Sequence, residues 1–64
     1  MIQITYKHGI VDTFEIYGET NTHVMWKDCA QNLIRINKHT GRITLLHDDE
    51  WIDHDIDVDS YKIV

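Results

Sequence analysis

The sequence predicts an all-β protein, a small antiparallel meander of five to six short strands. The composition is rich in β-branched residues: ten isoleucines, four valines and six threonines stand against three leucines and one alanine. Branching at Cβ restricts χ1 and suits a pleated strand better than a helix. Apolar and polar residues also alternate over several short stretches, and no proline removes a ladder donor. A chain of 64 residues forms one small β domain, residues 1–64.

The first two strands are predicted on either side of Gly9. Ile2 and Ile4 alternate with polar residues, and a second strand is predicted over residues 10–17. A two-residue turn would place apolar residues opposite polar ones, and a one-residue slip turns over a whole face. We therefore predict a three-residue loop or a bulge with Gly9 at positive φ, which sets Ile4 opposite Phe14.

The next elements are a strand and an ambiguous turn. Residues 18–21 have the composition of a turn, and a third strand is predicted over residues 22–27. In residues 28–32, Asp28 followed three positions later by Gln31 imitates a helix capping box. The prediction is at most one helical turn there.

The central hairpin is predicted over residues 33–37 and 42–46, which flank a four-residue loop that ends in Gly41. With this loop, apolar residues lie opposite apolar residues on one face of the hairpin, and polar residues lie opposite polar residues on the other. The predicted partners are Ile36 with Ile43, Ile34 with Leu45, and Arg35 with Thr44.

The loop sequence Asn37-Lys38-His39-Thr40-Gly41-Arg42-Ile43 resembles the N-K-x-T-G-x-I hairpin of single blades in β-propeller repeats. The resemblance covers residues 33–46 and implies a four-residue β-hairpin. A propeller needs several blades, and the chain holds one copy of this motif. No functional residue is therefore carried over from that family.

Residues 47–64, called the acidic segment below, hold nearly all of the net charge. They contain seven acidic residues against Lys62, a formal charge of −6, whereas residues 1–46 carry four acids and five bases, a charge of +1. We predict a turn over residues 48–50, an acidic strand over residues 51–57 and a short strand over residues 61–64. Four aspartates alternate with four other residues here, which predicts one strand with an acidic outer face and Ile52, Ile56 and Val58 inward. The aspartates are Asp53, Asp55, Asp57 and Asp59.

Strands at such short intervals favour a strongly curved sheet or a barrel the size of an SH3 or OB domain. Closure would remove exposed strand edges. A chain of this length is marginally stable alone, and its lone Cys29 excludes an internal disulfide, so we expect a homodimer. Cys29 itself is expected to be a small core residue or an inert thiol, as suits a reducing cytoplasm. No apolar run approaches the ~20 residues of a membrane span, so no membrane partner is expected.

Metal, catalytic and nucleic-acid sites receive little support. Residues 53–57 match the D-x-D opening of a calcium loop, but Val58 and Val64 occupy the positions that need Gly and Glu. His47 and His54 have no recognised ligand spacing. No local group activates Cys29 as a nucleophile, and a net charge of −5 opposes direct binding to nucleic acid. We predict no enzyme activity, no cofactor and no metal.

The charge distribution instead predicts a non-catalytic, acidic protein-interaction module with a basic protein partner. On one strand the carboxylates would recur every ~6.6 Å and match about every second phosphate of a DNA strand. The acidic face would then occupy a nucleic-acid-binding surface of the partner, and in size and charge the chain resembles accessory and inhibitor proteins of phages and prophages. The predicted partner-binding residues are Asp48, Asp49, Glu50, Asp53, Asp55, Asp57 and Asp59.

Three alternatives remain open at this point. The acidic strand could serve only solubility, because charged edge strands resist sheet-to-sheet association. It could approach the Arg35 and Arg42 face of a neighbouring copy in a structural homo-oligomer. A weak metal-binding protein is the third alternative.

Overall fold

A computed structural model describes residues 1–54 and 56–64. Within this part of the chain there are eight strands and no helix, which confirms the all-β prediction with more strands than expected. The strands are β1 (Ile2–Tyr6), β2 (Val11–Phe14), β3 (Ile16–Glu19), β4 (His23–Lys27), β5 (Leu33–Asn37), β6 (Ile43–His47), β7 (Glu50–Asp53) and β8 (Val58–Ile63).

The strands form two antiparallel sheets that share one core. The three-stranded sheet has the order β2-β1-β8, and the five-stranded sheet has the order β3-β4-β5-β6-β7. The two ladders are not joined into a closed barrel. The predicted second strand is divided between the sheets, because β2 ends at Phe14 and β3 begins at Ile16. The buried core residues are Ile2 and Ile4 from β1, and Val24, Trp26, Ile34, Ile36 and Ile43 from the five-stranded sheet.

The β1–β2 loop has the predicted length but not the predicted register. Tyr6 N–H donates to the Ile10 carbonyl at 2.9 Å, which leaves three loop residues, and Gly9 has the predicted positive φ of 93°. Phe14 lies opposite Ile2, not Ile4. A three-residue loop places its left-handed residue last. Gly9 is last only when the loop covers residues 7–9. The observed pairing is therefore shifted by two residues from the predicted one, and each side chain of β2 stays on its predicted face of the sheet.

Residues 28–32 form a β-hairpin loop and not a helical turn. Asp28 N–H donates to the Asn32 carbonyl at 3.1 Å, and Gln31 adopts a positive φ of 68°. The Asp28 carboxylate accepts hydrogen bonds from Ala30 N–H and Asn32 N–H, both at 2.9 Å. The spacing that imitated a capping box therefore belongs to an aspartate that bonds its own loop.

The central hairpin, β5 and β6, is confirmed in loop and register. Ile36 pairs with Ile43, Ile34 with Leu45 and Arg35 with Thr44. The Asn37 carbonyl accepts a hydrogen bond from Gly41 N–H at 2.8 Å, and Gly41 has a φ of +75°. The four-residue loop implied by the blade resemblance is also confirmed.

The predicted continuous acidic strand is wrong. Asp48 and Asp49 make a two-residue turn with φ values of 49° and 61°, and β7 ends at Asp53. The chain then leaves the five-stranded sheet, and β8 pairs with β1 in the other sheet. Asp55, a predicted member of the strand, lies outside the described residues.

The inward positions of the acidic segment are partly confirmed. Ile56 and Val58 are half-buried and pack against the core. Ile52 faces the same side of the sheet as Leu45, its partner on β6. It is nevertheless 42% exposed, because β7 is an edge strand of the five-stranded sheet.

Candidate protein-binding surface

The described carboxylates of the acidic segment are exposed, but they lie on separate elements. Asp48 and Asp49 form the β6–β7 turn, whereas Glu50 begins β7. Asp57 precedes β8, and Asp59 lies within it. Because β7 and β8 are edge strands of different sheets, these side chains do not form one evenly spaced line.

Asp53 differs from the other acidic residues because it is held by Arg42. Arg42 Nε donates to Asp53 Oδ1 at 2.9 Å, and Nη2 donates to Oδ2 at 2.8 Å. These hydrogen bonds and the opposite charges lower the pKa of Asp53 and raise that of Arg42. The bidentate pair joins the central hairpin to the acidic segment, so Asp53 adds little net charge to the surface.

The other carboxylates of this segment have little internal competition for a partner. Asp48 Oδ2 lies 3.4 Å from His47 Nε2, an ion pair only when the imidazole is protonated. Within residues 1–54 and 56–64, no hydrogen bond or ion pair holds the carboxylates of Asp49, Glu50, Asp57 or Asp59. These four side chains are therefore available to bind a cation.

Several cations of the rest of the protein are engaged within the chain. Lys38 Nζ donates to Glu19 Oε2 at 2.7 Å, which makes a surface ion pair. Arg35 Cζ lies 4.0 Å from the centre of the Trp51 ring, and Arg35 Nε donates a hydrogen bond to Thr44 Oγ1 at 3.0 Å. These contacts leave the molecule with fewer cationic groups available for binding than its composition indicates.

The outer face of the five-stranded sheet carries two aromatic residues, Tyr17 and Trp51. Trp26 is buried in the core, with 1% exposure, whereas Tyr17 is 62% exposed. Lys27 Nζ lies 4.8 Å from the centre of the Tyr17 ring, and Trp51 is half-buried beneath Arg35. The alternation of Trp51 with Ile52 already placed Trp51 on the outer face, so its position was visible in the sequence.

The structure also describes Cys29 and the residues considered for metal binding. Cys29 is exposed in the β4–β5 loop, so the core-residue interpretation is wrong. Over the described residues, no three or more His, Cys, Asp or Glu side chains are grouped as metal ligands would be. In the same residues, no helix has the length and apolar character needed to cross a membrane.

No protein-family model, curated protein or solved structure matches this chain. The fold and the surface define a small all-β protein with an exposed acidic segment. Any functional conclusion therefore depends on the charges, exposure and contacts described above.

Proposed function

We propose that the protein is a non-catalytic interaction domain whose acidic segment binds a basic surface of a protein partner. The observation that supports this proposal is the imbalance between available charges. Asp49, Glu50, Asp57 and Asp59 are exposed without an internal partner in the described structure, whereas Arg35 and Lys38 are engaged within the chain. Such a surface accelerates encounter with a positively charged partner and excludes negatively charged ones.

The finer form of the proposal is that the partner uses the same basic surface to bind nucleic acid. The protein would then act as an inhibitor or accessory factor by occupying that surface, as a phage-type protein could. The carboxylates lie on separate elements, so they do not have the even, phosphate-like spacing that a single strand would give them. That spacing therefore does not support this form of the proposal. A cytoplasmic location is part of the proposal, since the lone Cys29 suits a reducing compartment.

Binding to a short arginine-rich peptide tests the basic-partner proposal. Fluorescence anisotropy would measure the affinity of the wild-type protein between about 0.05 and 0.5 M salt. We expect measurable binding that weakens steeply as salt rises. The double variant Asp57→Asn/Asp59→Asn should bind about tenfold more weakly at low salt, because two exposed charges are lost without a change in side-chain size.

The matched control removes one carboxylate from the other part of the chain. Glu15→Gln changes the net charge by the same amount as the single variant Asp59→Asn, leaves the acidic segment intact and does not disturb the ion pair between Lys38 and Glu19. Equal losses in these two single variants would mean that net charge alone drives binding, and would contradict a specific role for the acidic segment. Absence of binding to the arginine peptide at low salt would contradict the proposal as a whole.

The nucleic-acid-competition form needs a natural partner. Affinity capture with the wild type and with Asp57→Asn/Asp59→Asn identifies proteins whose retention depends on these carboxylates. We expect at least one of them to bind DNA or RNA, and the wild-type protein to displace that nucleic acid in a competition assay. If every charge-dependent partner binds nucleic acid and this protein simultaneously, the competition form is wrong.

Self-association is the second candidate function, and a specific edge favours it. Tyr6 N–H bonds the Ile10 carbonyl, so the alternation of an antiparallel ladder directs the backbone groups of Val11 and Thr13 away from β1. Ile10 and Val11, at this edge of the three-stranded sheet, are also exposed. We propose that β2 pairs with β2 of a second copy, which would give the expected homodimer.

Sedimentation equilibrium tests this homodimer. Val11→Lys should convert the dimer to a monomer, because a lysine on an edge strand opposes pairing. Ile63→Lys is the matched control, since Ile63 has the same 49% exposure but lies on β8, the opposite edge of the sheet. A wild-type monomer, or a dimer that only Ile63→Lys dissociates, would contradict pairing through β2.

A further inference from the structure

A groove opens between the two sheets beside the acidic segment. Its volume is about 340 Å³, near the lower end of the ~300–1,000 Å³ typical of ligand pockets. A space of this size suits one side chain better than a large metabolite. We call it the inter-sheet groove, and the residues that carry the argument below are Tyr6, Asp12, Phe14, Asp28, Cys29 and His54.

Asp12 reaches this groove because it lies on the inner face of the three-stranded sheet. Its partner on β1 is Ile4, which is fully buried, and residues directly opposite in a ladder share a face. Phe14, two positions further along β2, packs against the core from the same face. A carboxylate therefore occupies the inward-facing position at the edge of an apolar row.

Asp28 supplies a second carboxylate from the other wall. Its Oδ1 accepts hydrogen bonds from Ala30 N–H and Asn32 N–H, and its Oδ2 accepts one from Asn32 Nδ2 at 3.2 Å. Burial raises the pKa of Asp28, but these hydrogen bonds and the nearby His54 outweigh it, so that the pKa lies below its ordinary value. The β4–β5 loop therefore holds this carboxylate in its ionised form.

Aromatic rings complete the walls. Phe14, Trp26 and Tyr6 all line the groove, and the ring centroids of Phe14 and Trp26 lie 6.2 Å apart. Burial raises the pKa of Tyr6, and the neighbouring Asp12 carboxylate raises it further as a hydrogen-bond acceptor and as a charge. None of the described residues that line the groove is a lysine or an arginine. The combination of carboxylates and aromatic rings, with neither lysine nor arginine among the described lining residues, is complementary to a guanidinium group.

We propose that the inter-sheet groove binds the side chain of an arginine from the basic protein partner, between Asp12 and Asp28. This inference rests on the proposed function and adds the specific contact that exposed charges alone would lack. The guanidinium would donate hydrogen bonds to the two carboxylates and stack against an aromatic ring. His54 and Ile56, which line the groove, lie in the acidic segment, so the groove and the surface carboxylates can bind neighbouring parts of one partner.

A titration with N-acetyl-arginine amide, followed by ¹H–¹⁵N NMR of the whole chain, tests the groove. We expect saturable shifts at the backbone amides of Asp12, Cys29 and Ala30 and at the indole N–H of Trp26. The matched N-acetyl-citrulline amide is neutral and nearly the same shape, and should produce no saturable shifts there. Equal shifts with both compounds, or shifts with neither, would overturn the proposal.

Two substitutions separate the groove from the surface charges. Asp12→Asn should weaken binding of the arginine derivative about tenfold, because a charge-assisted hydrogen bond is lost. Asp59→Asn removes the same charge outside the groove and should weaken it less than about twofold. Asp28→Asn provides a second groove variant, and well-dispersed NMR spectra of each variant establish that it is folded.

The arginine-rich peptide distinguishes failure of this inference from failure of the proposed function. If the peptide binds and Asp57→Asn/Asp59→Asn weakens it, but Asp12→Asn and Asp28→Asn do not, the groove proposal is wrong and the acidic-surface proposal stands. If the peptide does not bind at all, the proposed function is wrong. A groove that still binds the arginine derivative would then be a site for a free guanidinium ligand, and its assignment to a protein partner would fall.

Discussion

The central hairpin and the acidic segment both alternate along the sequence, yet only the hairpin has the predicted ladder. In the hairpin, residues 33–46, the predicted pairs of apolar and of polar residues lie opposite one another on β5 and β6, and Gly41 supplies the left-handed loop position. In the acidic segment, residues 47–64, the alternation runs across two strands that belong to different sheets. Alternation thus indicates which residues face a core, but not whether they belong to one strand.

The separation in sequence between pairing partners explains this difference. Ile36 and Ile43 are neighbours across one short loop, so the sequence around them contains both strands and the turn. The partner of β8 is β1, at the other end of the chain, where Ile63 lies opposite Ile2. No local pattern in the acidic segment carries information about that partner.

Two isoleucines on the same sheet face provide the strongest test of the comparison. Ile36→Ala in the hairpin should lower the free energy of unfolding by about 3 kcal/mol, because it leaves a cavity in a fully packed core. Ile52→Ala on edge strand β7 should cost about 1 kcal/mol or less, because that side chain is already partly hydrated. Urea denaturation measures both values.

The cost of Ile36→Ala is comparable with the whole stability of a domain of this size. If this variant does not fold, Ile36→Val gives a smaller loss of about 1 kcal/mol that remains measurable. Equal losses at positions 36 and 52 would mean that β7 is covered in solution, for example by a second copy. That outcome would contradict the interpretation of β7 as an exposed edge.

The loop glycine of the central hairpin gives the next largest expected effect. Gly41→Ala should destabilise the protein by about 1 kcal/mol, because an L-residue is strained at a φ of +75°. A Cβ at this position would meet no atom within 4 Å, so the loss would be a backbone effect. His39→Ala in the same loop is the control and should change stability little. An unchanged unfolding curve for Gly41→Ala would show that the loop can relax.

The sequence predicted the strand character of the chain and the central hairpin, but neither the number of sheets nor the path after Asp53. The division of the second strand at Glu15 and the crossing between β7 and β8 depend on long-range packing, which no local spacing encodes. The exposure of the described acidic side chains was predictable from composition. The pairing of Asp53 with Arg42 was not, because it requires β7 to lie beside β6 in a particular register.

The inter-sheet groove was only partly visible in the sequence. Ile10, Asp12, Phe14 and Ile16 occupy every second position, and this alternation is the signal that could have identified Asp12 as a carboxylate in an otherwise apolar row. Its proximity to Asp28 depends on how the two sheets pack together, which the sequence did not predict.

A glycine substitution in the turn of the acidic segment should stabilise the protein, whereas Gly41→Ala should destabilise it. Asp49 has a φ of 61° without being glycine, and two-residue turns of this kind favour glycine at the second position. Asp49→Gly should therefore raise the free energy of unfolding by about 0.5 kcal/mol. Asp49→Asn removes the same charge but keeps the Cβ, so the difference between the two variants isolates the backbone contribution. A less stable glycine variant would contradict the strained turn.

The smallest expected effect concerns the ion pair that joins the two regions. The Arg42 and Asp53 side chains are both 68% exposed, and water and salt weaken such pairs. Asp53→Asn should shift the melting temperature by less than about 3 °C at neutral pH. A double-mutant cycle with Arg42→Gln would measure the coupling between the two side chains.

The pH dependence of stability tests whether the coupling between Arg42 and Asp53 comes from the charge of Asp53. The pair lowers the pKa of Asp53 in the folded state, so its contribution is complete above the ordinary aspartate value of 3.8 and is lost as the pH falls through the lower folded value. The difference in stability between wild type and Asp53→Asn should therefore shrink below about pH 4. A coupling that persists under acid, or that grows with salt, would show that Asp53 positions β7 beside the hairpin by contacts other than its charge.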